Sequence, residues 1–310
     1  MKRIYMSVEE GFEKSPPNLY RTSKSIINKL NNIYDLFLVH PGDYDIETLT
    51  IKQAFKIKPS SKLEKVLDSH EPRGDLFIIY GDETSKNIGF EFAEQQYDFL
   101  EKIESSGNFS KFLNKPGTEK NTLKNCLVDL SKDISFGIAS TFKIEHLSEI
   151  KEYVKNYGSI IAKPIFGCRG SGVFKIESSN NLEYIFENKS IDDYVFQEPL
   201  AGPEKRVVLL NGELLCSRIH YDRETPWSSS DSQKTYVYQP NDFELEVSKL
   251  ISKTISADII GVDFIGDKIN EINGTGTALI TYDHNDNLLY DKTDDFVKLV
   301  SSLVDGDYDE

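Results

Sequence analysis

The sequence predicts a mixed α/β protein, part α/β and part α+β, built from two or three tightly joined subdomains. Three observations lead there. The first third alternates short apolar runs with amphipathic stretches. The dipeptide Asn211-Gly212 stands between two apolar runs, the signature of a type I′ hairpin. At 310 residues the chain exceeds the size at which a single core stops growing.

Taken in order, strands are expected over residues 3–7, 36–40 and 76–80, and helices over 18–30 and 90–102. This makes an open α/β layer. Asn114-Lys115-Pro116 then breaks the chain, and a helix over 118–130 is expected with Thr118 as its N-cap. A helix over 146–156, strands over 159–163 and 172–176, a helix over 181–186 and a strand over 194–197 follow. The hairpin pairs 206–210 with 213–218; beyond it come a helix over 242–255, strands over 260–265 and 269–273, and a helix over 294–303. Residues 203–204 and 228–232 read as loops.

Composition narrows the function classes. With 51 acidic against 36 basic residues the net charge is −15, which opposes binding to nucleic acid or anionic lipid over the surface as a whole. The stretch Asp305 to Glu310 reads as a solvated acidic tail. Three scattered cysteines, Cys126, Cys168 and Cys216, form neither a disulfide framework nor a C-x-x-C pair, which fits a reducing cytoplasm. No run of membrane-spanning length and no apolar targeting segment is present, so a soluble cytoplasmic protein is expected. The five histidines make no close i, i+4 pair, and no nucleophilic triad is legible.

Four segments carry chemistry. In the first, Lys163 ends a strand that opens into a loop with Gly167, Gly170, Ser171 and Gly172. Glycine backbone N–H groups can close over phosphate oxygens because no Cβ intervenes. Neither G-x-x-x-x-G-K-[ST] nor G-x-G-x-x-G occurs, and the alternative is an ordinary glycine hairpin with a surface lysine. The second segment is Gln197-Glu198-Pro199-Leu200 and the third is the Lys205-Arg206 pair.

The fourth segment supplies oxygen donors suited to Mg²⁺: Asp263, Glu271 and Asn273. A three-residue turn at Gly266-Asp267-Lys268 would pair Ile265 with Ile269 and put Asp263 opposite Glu271, with Asn273 on the same face. Facing carboxylates repel unless a cation stands between them; otherwise these are solvated edge charges. As exposed carboxylates in a cleft, Asp263 and Glu271 should be replaceable by Ala with loss of turnover and with the fold intact. Arg206 and Arg218 lie at matching ends of the Asn211-Gly212 ribbon, placed to grip phosphate or carboxylate, with plain surface solvation as the alternative.

Read together, these segments resemble the ATP-grasp ligases, and within them bacterial glutathione synthetase, from about residue 75 to 278. The matching stretches are Leu113-Asn114-Lys115-Pro116, Ile161 to Gly167, Phe196 to Leu200, Lys205-Arg206-Val207-Val208, Ile260 to Asp267 and Asn270-Glu271-Ile272-Asn273. The resemblance implies a three-part architecture: an N-terminal α/β domain over 1–114, a small central lid over 115–196, and a C-terminal domain over 197–310. It implies that Lys124, with Lys120 as fallback, and Lys163 hold ATP phosphates under the glycine loop, and that the backbone of Gln197, Glu198, Pro199 and Leu200 meets adenine. Glu204 is counted with the nucleotide-binding residues.

Further, Asp263, Glu271 and Asn273 would hold two Mg²⁺ ions, with Mn²⁺ as substitute, while Arg206 and Arg218 orient the acceptor carboxylate and the migrating phosphoryl group. The implied reaction is ATP-dependent, ADP-forming amide bond formation through an acyl phosphate, in a dimer or tetramer. Three stretches depart from the family: Arg223 to Trp227 with the serines after it, Gly274-Thr275-Gly276-Thr277, and Tyr80-Gly81-Asp82. All fall on the substrate side. A ligase acting on a peptide or protein side chain, and a nucleotide-binding protein without turnover, are therefore kept as alternatives.

Overall fold

The computed structural model describes residues 1–8, 17–57, 63–80, 90–134, 137–166, 170–178, 182–221 and 234–306, without the side chains of 17–20, 90–93 and 133. Gly81, Asp82, Gly167, Cys168, Arg169, the segment 222–233 and the last four residues lie outside them.

The N-terminal part contains β1 (Arg3–Ser7), α1 (Pro17–Asn31), β2 (Asp35–Val39), β3 (Tyr44–Asp45), β4 (Thr50–Ile57), β5 (Leu63–His70), β6 (Gly74–Ile79), α2 (Phe90–Ser106) and β7 (Phe109–Leu113). Strand β1 lies parallel between β2 and β6, and β7 continues the parallel set beyond β6. These strands are apolar on both faces, as a sheet covered on both sides must be. One face packs Tyr5, Phe37 and Phe77 against Phe99 of α2. The antiparallel β4–β5 ribbon extends the sheet beyond β2.

Between Leu113 and the central sheet come α3 (Pro116–Lys120) and α4 (Cys126–Asp133). The single helix expected over 118–130 is thus two pieces. Pro116 opens the first helix after Lys115, and Thr118 lies within it, its hydroxyl donating to Ile255 O at 3.1 Å instead of capping. Cys126, Leu127 and Leu130 of α4 pack into the core of the C-terminal sheet.

The central sheet comprises β8 (Thr141–Phe142), α5 (Leu147–Tyr157), β9 (Ile160–Pro164), β10 (Phe174–Ile176), α6 (Leu182–Ile185) and β11 (Tyr194–Gln197). Its four strands run antiparallel in the order β10-β9-β11-β8, and its core of Ile144, Ile150, Ile160, Ala162, Phe196 and neighbours is its own. Strand β10 begins two residues later than expected because Gly170 and Gly172 adopt φ near +70°.

The C-terminal part holds β12 (Glu204–Leu210), β13 (Glu213–Tyr221), β14 (Lys234–Val237), α7 (Asp242–Thr254), β15 (Ile259–Ile265) and β16 (Lys268–Asn273), then β17 (Ile280–Tyr282), β18 (Leu288–Asp291) and α8 (Thr293–Asp305). Five strands form one antiparallel sheet in the order β14-β13-β12-β15-β16. Asn211 (φ 51°) and Gly212 (φ 73°) supply the two left-handed positions of the hairpin turn. Helix α8 crosses to the N-terminal sheet: Phe296 and Val300 share a core with Ile4, Leu36 and Leu76, and Val208 and Ile259 join it. No helix among the described residues is long and apolar enough to cross a membrane.

Candidate active site

Two register shifts build the centre of the site. The hairpin turn pairs Leu210 with Glu213, and a bulge after Val208 moves the register so that Arg206 faces Arg218. In β15–β16 the turn has two residues, with Ile265 opposite Lys268, not the three-residue turn expected. A bulge between Asp263 and Phe264 restores Asp263 opposite Glu271 and Val262 opposite Ile272. Without the bulges Arg206 would stand opposite Ser217 and Asp263 opposite Asn270. Because Arg206 also pairs with Asp263, one row, Arg218, Arg206, Asp263, Glu271, crosses four adjacent strands.

The cation that two facing carboxylates require is supplied here by the protein itself. Arg206 grips both oxygens of Asp263 with Nε and Nη2, and Asn273 Nδ2 donates to Asp263 Oδ2 at 3.0 Å. Lys124 Nζ lies 3.2 Å from Glu271 Oε1. Burial alone would raise the Glu271 carboxyl, but Lys124, Lys163 and Arg206 outweigh it and hold the group below its usual range. Burial likewise works against the Arg206 charge, and Asp263 more than restores it. Asp263 is only 1% exposed, so the expectation that its removal costs little stability is corrected: Arg206 would be left without its partner.

Lys163, on β9, reaches across from the central sheet. Its Nζ donates to Gln197 Oε1 and to Asn270 Oδ1, each at 2.6 Å. Gln197 Nε2 in turn donates to Thr141 Oγ1 at 3.0 Å. Burial pulls the Lys163 ammonium down to about 8, opposed by Glu271 and assisted by nearby Lys124. Asn270 occupies the bulged position, which the alternation of β16 gives no means to foresee.

A cleft opens beside this lysine between the central and C-terminal sheets. Ile161 and Ile265 give it apolar walls, Gln197 to Leu200 form one edge, and Lys163 and Lys175 stand at its polar side. Glu198 is held by Ser140 N at 2.8 Å and by Lys268 Nζ at 2.6 Å. Its carboxyl, which burial would raise, is kept below the ordinary value by Lys268 and Ser140. Gly170, Ser171 and Gly172 follow β9 at the mouth of the lysine strand, with Val173 N donating to Gly170 O; Gly167 lies outside the described residues.

Other candidates separate. Lys205 turns to the opposite face from Arg206, where its ammonium meets the buried Glu244 of α7. Lys120 pairs with Glu101 of α2 at 3.4 Å, not with the carboxylate row. Glu204 is buried at the start of β12, opposite Ile265 and His220. Arg218 is buried too, and Nη1 donates to Thr281 Oγ1 and Tyr290 Oη at 3.2 Å and to Ala278 O at 3.4 Å, while Nε donates to His220 Nε2 at 3.1 Å. All four partners are neutral acceptors. Among the described residues no three His, Cys, Asp or Glu side chains group as a metal centre; the row offers two carboxylates and the Asn273 amide.

Residues 132–283 match the family described as prokaryotic glutathione synthetase, ATP-grasp domain. That matched segment, just under half of the chain, places it with the ATP-grasp superfamily. The glutathione synthetase of Buchnera aphidicola subsp. Acyrthosiphon pisum (strain APS) is 24% identical over 205 residues, 61% of this chain and 62% of that protein. The chain thus spans about three fifths of the length of that relative. The ATP-grasp fold extends further than the family match. D-alanyl-alanine synthetase A from Vibrio cholerae O1 biovar eltor superposes with a TM-score of 0.64 at 14% identity over 98% of each chain. The ATP-grasp ligase PsnB, complexed with a phosphomimetic variant of minimal precursor, Mg and ADP, gives 0.63 at 14% identity over 97% of this chain and 98% of its own. At such identities the likeness is one of fold.

Proposed function

We propose that the chain is an ATP- and Mg²⁺-dependent carboxylate–amine ligase, ADP-forming, that makes an amide bond through an acyl phosphate. The observation that carries this reading is the row Arg218, Arg206, Asp263, Glu271, flanked by Lys124 and Lys163 at a cleft with apolar walls. Anion-binding and cation-binding side chains meet there, as a bound metal–triphosphate requires.

In this reading Lys124 and Lys163 hold phosphate oxygens, Gly170, Ser171 and Gly172 close over them, and Gln197 to Leu200 present the adenine edge. Asp263, Glu271 and Asn273 offer oxygen donors alone, a set that fits Mg²⁺, or Mn²⁺ in its place. When bound, the metal neutralises charge on the transferring phosphoryl group. A substrate carboxylate oxygen attacks the γ-phosphorus and ADP departs; an amine nitrogen then attacks the acyl carbon, the new C–N bond forms and phosphate leaves. Arg218, whose contacts among the described residues are all neutral, has its charge available for the carboxylate or the phosphoryl group. No protein nucleophile is needed, and catalysis rests on positioning and charge neutralisation.

A second reading keeps the chemistry and makes the carboxylate part of a peptide or protein side chain. The full-length similarity to PsnB, whose structure contains a precursor variant, favours including it. Phosphate release should be measured with ATP and Mg²⁺ across amino acids, γ-glutamyl dipeptides and carboxylate-bearing peptides. Stimulation by one carboxylate–amine pair supports the ligase and names its class. ADP production at background with every pair refutes it and leaves nucleotide binding without turnover. The expected dimer or tetramer is tested by light scattering.

A further inference from the structure

The turn Gly274 to Thr277 that leaves β16 is held from three directions. Glu119, buried on α3, accepts Thr275 N at 2.9 Å and the Thr275 hydroxyl with the same oxygen, Oε1. That oxygen also accepts Asn114 Nδ2 at 2.6 Å. Asn114 is itself fixed, with φ of 44° and its Oδ1 accepting Asp258 N at 2.8 Å and Ile259 N at 3.2 Å. On the second side a Cβ at Gly276 would lie 3.0 Å from Tyr80 O, just past β6 in the N-terminal sheet. On the third, a Cβ at Gly261 would lie 2.7 Å from Thr277 Oγ1 and 3.7 Å from Arg206 Cδ.

Contact between Gly274 and the latch is equally close. A Cβ there would fall 2.0 Å from Glu119 Oε2, so this position accepts only glycine while Glu119 stays in place. Thr275 and Thr277 are 0% and 1% exposed, so the turn is packed, not draped on the surface. Its two ends belong to the site: Asn273 precedes it, and Ala278 O accepts from Arg218. A shift of the turn would carry the Ala278 partner of the candidate anion-binding arginine, while Asn273 stays held in the ladder opposite Gly261 and by its bond to Asp263. It also borders the carboxyl end of the parallel strand β6, the side on which open α/β sheets bind ligands.

We infer that Glu119 is a positioning residue for the acceptor substrate: through Thr275 it holds the Gly274–Thr277 turn as the floor of the acceptor seat between Arg218 and Tyr80. The inference rests on the ligase reading for the word acceptor, while the latch itself is independent of it. Glu119 acts through the turn and not on the nucleotide, whose cleft lies on the other side of the carboxylate row.

The test compares Thr275→Ser, which keeps the hydroxyl, with Thr275→Val, which keeps the bulk, and adds Glu119→Gln. Amide hydrogen exchange of residues 275–277 and calorimetric binding of ADP with Mg²⁺ are measured on each full-length protein. The KM for the carboxylate–amine pair that turns over in the phosphate-release panel completes the set. Thr275→Ser should match the parent. Thr275→Val and Glu119→Gln should speed exchange in the turn and raise the acceptor KM, each by on the order of tenfold, with the ADP Kd within about twofold of the parent. If Thr275→Val matches the parent while Thr275→Ser does not, packing holds the turn and the inference is overturned. A parallel loss of ADP affinity overturns it as well. A parent that binds ADP but turns over no pair removes the ligase reading and the word acceptor, and exchange still decides the latch.

Discussion

Lys163 offers a pH test with two readouts of opposite sign. Moving its ammonium from the ordinary 10.5 to about 8 corresponds to about 3 kcal/mol against the charged form, a cost of burial only partly met by Glu271. Below pH 8 the folded protein carries that cost in full, and between pH 8 and 10.5 the unfolded chain binds more protons at this site. The Lys163 contribution to stability therefore rises with pH across that window. A bound triphosphate would act oppositely, favouring the charged lysine and raising its pKa again. At pH 9 the free site is about one tenth protonated, so binding ADP should take up nearly one proton; at pH 7 it should take up about one tenth of one. Above pH 8 affinity should fall by up to about tenfold per pH unit. Calorimetric titration with ADP and Mg²⁺ in buffers of different ionisation enthalpy counts the protons directly, with Lys163→Met as control. Uptake independent of pH, or retained in Lys163→Met, would refute the assignment of Lys163 to the phosphates.

Other expectations follow from the same contacts. Asp263→Ala should lower unfolding free energy by about 3 kcal/mol in denaturant titration, because the partly buried Arg206 loses both of its carboxylate bonds, while Asp263→Asn should cost less. An unchanged midpoint for Asp263→Ala would contradict the pairing. Asn270→Ala should weaken ADP binding by on the order of tenfold, since Lys163 loses one of its two short bonds; equal affinity would show that the bulge plays no part. Phe296→Ala should cost about 3–5 kcal/mol and melt the N-terminal and C-terminal parts together, as seen by exchange in β1 and β15; separate melting would contradict the shared core.

Much of this was legible before any coordinates, for identifiable reasons. The Asn211-Gly212 turn is encoded by two residues that tolerate positive φ, and the lysine strand and carboxylate strands by apolar periodicity around single polar positions. The pairing of Asp263 with Glu271 follows from the sequence through a three-residue turn, whereas a two-residue turn and a bulge produce it in the fold. Bulges leave little trace in alternation, so the sequence does not single out Asn270 as the lysine anchor. The β4–β5 ribbon escaped for a different reason: β5 is largely exposed and shows no apolar face to count. Glu119 is hidden in the sequence because Thr275 is distant from it and only the fold brings the two together, while the nearby Asn114 alone carries no signal.

The separate core of the central sheet has a mechanical consequence. Helix α8 joins the first and last parts of the chain through one shared core, while Ile144, Ile160, Phe196 and their neighbours form a core of their own. Such a molecule is built as a clamp with a single jaw: swinging it would break the Lys163–Asn270 and Glu198–Lys268 bridges and the Tyr97–Phe166 ring contact, and would leave both apolar interiors intact. In the ligase reading, nucleotide entry would then be opposed chiefly by polar bonds, which water can replace.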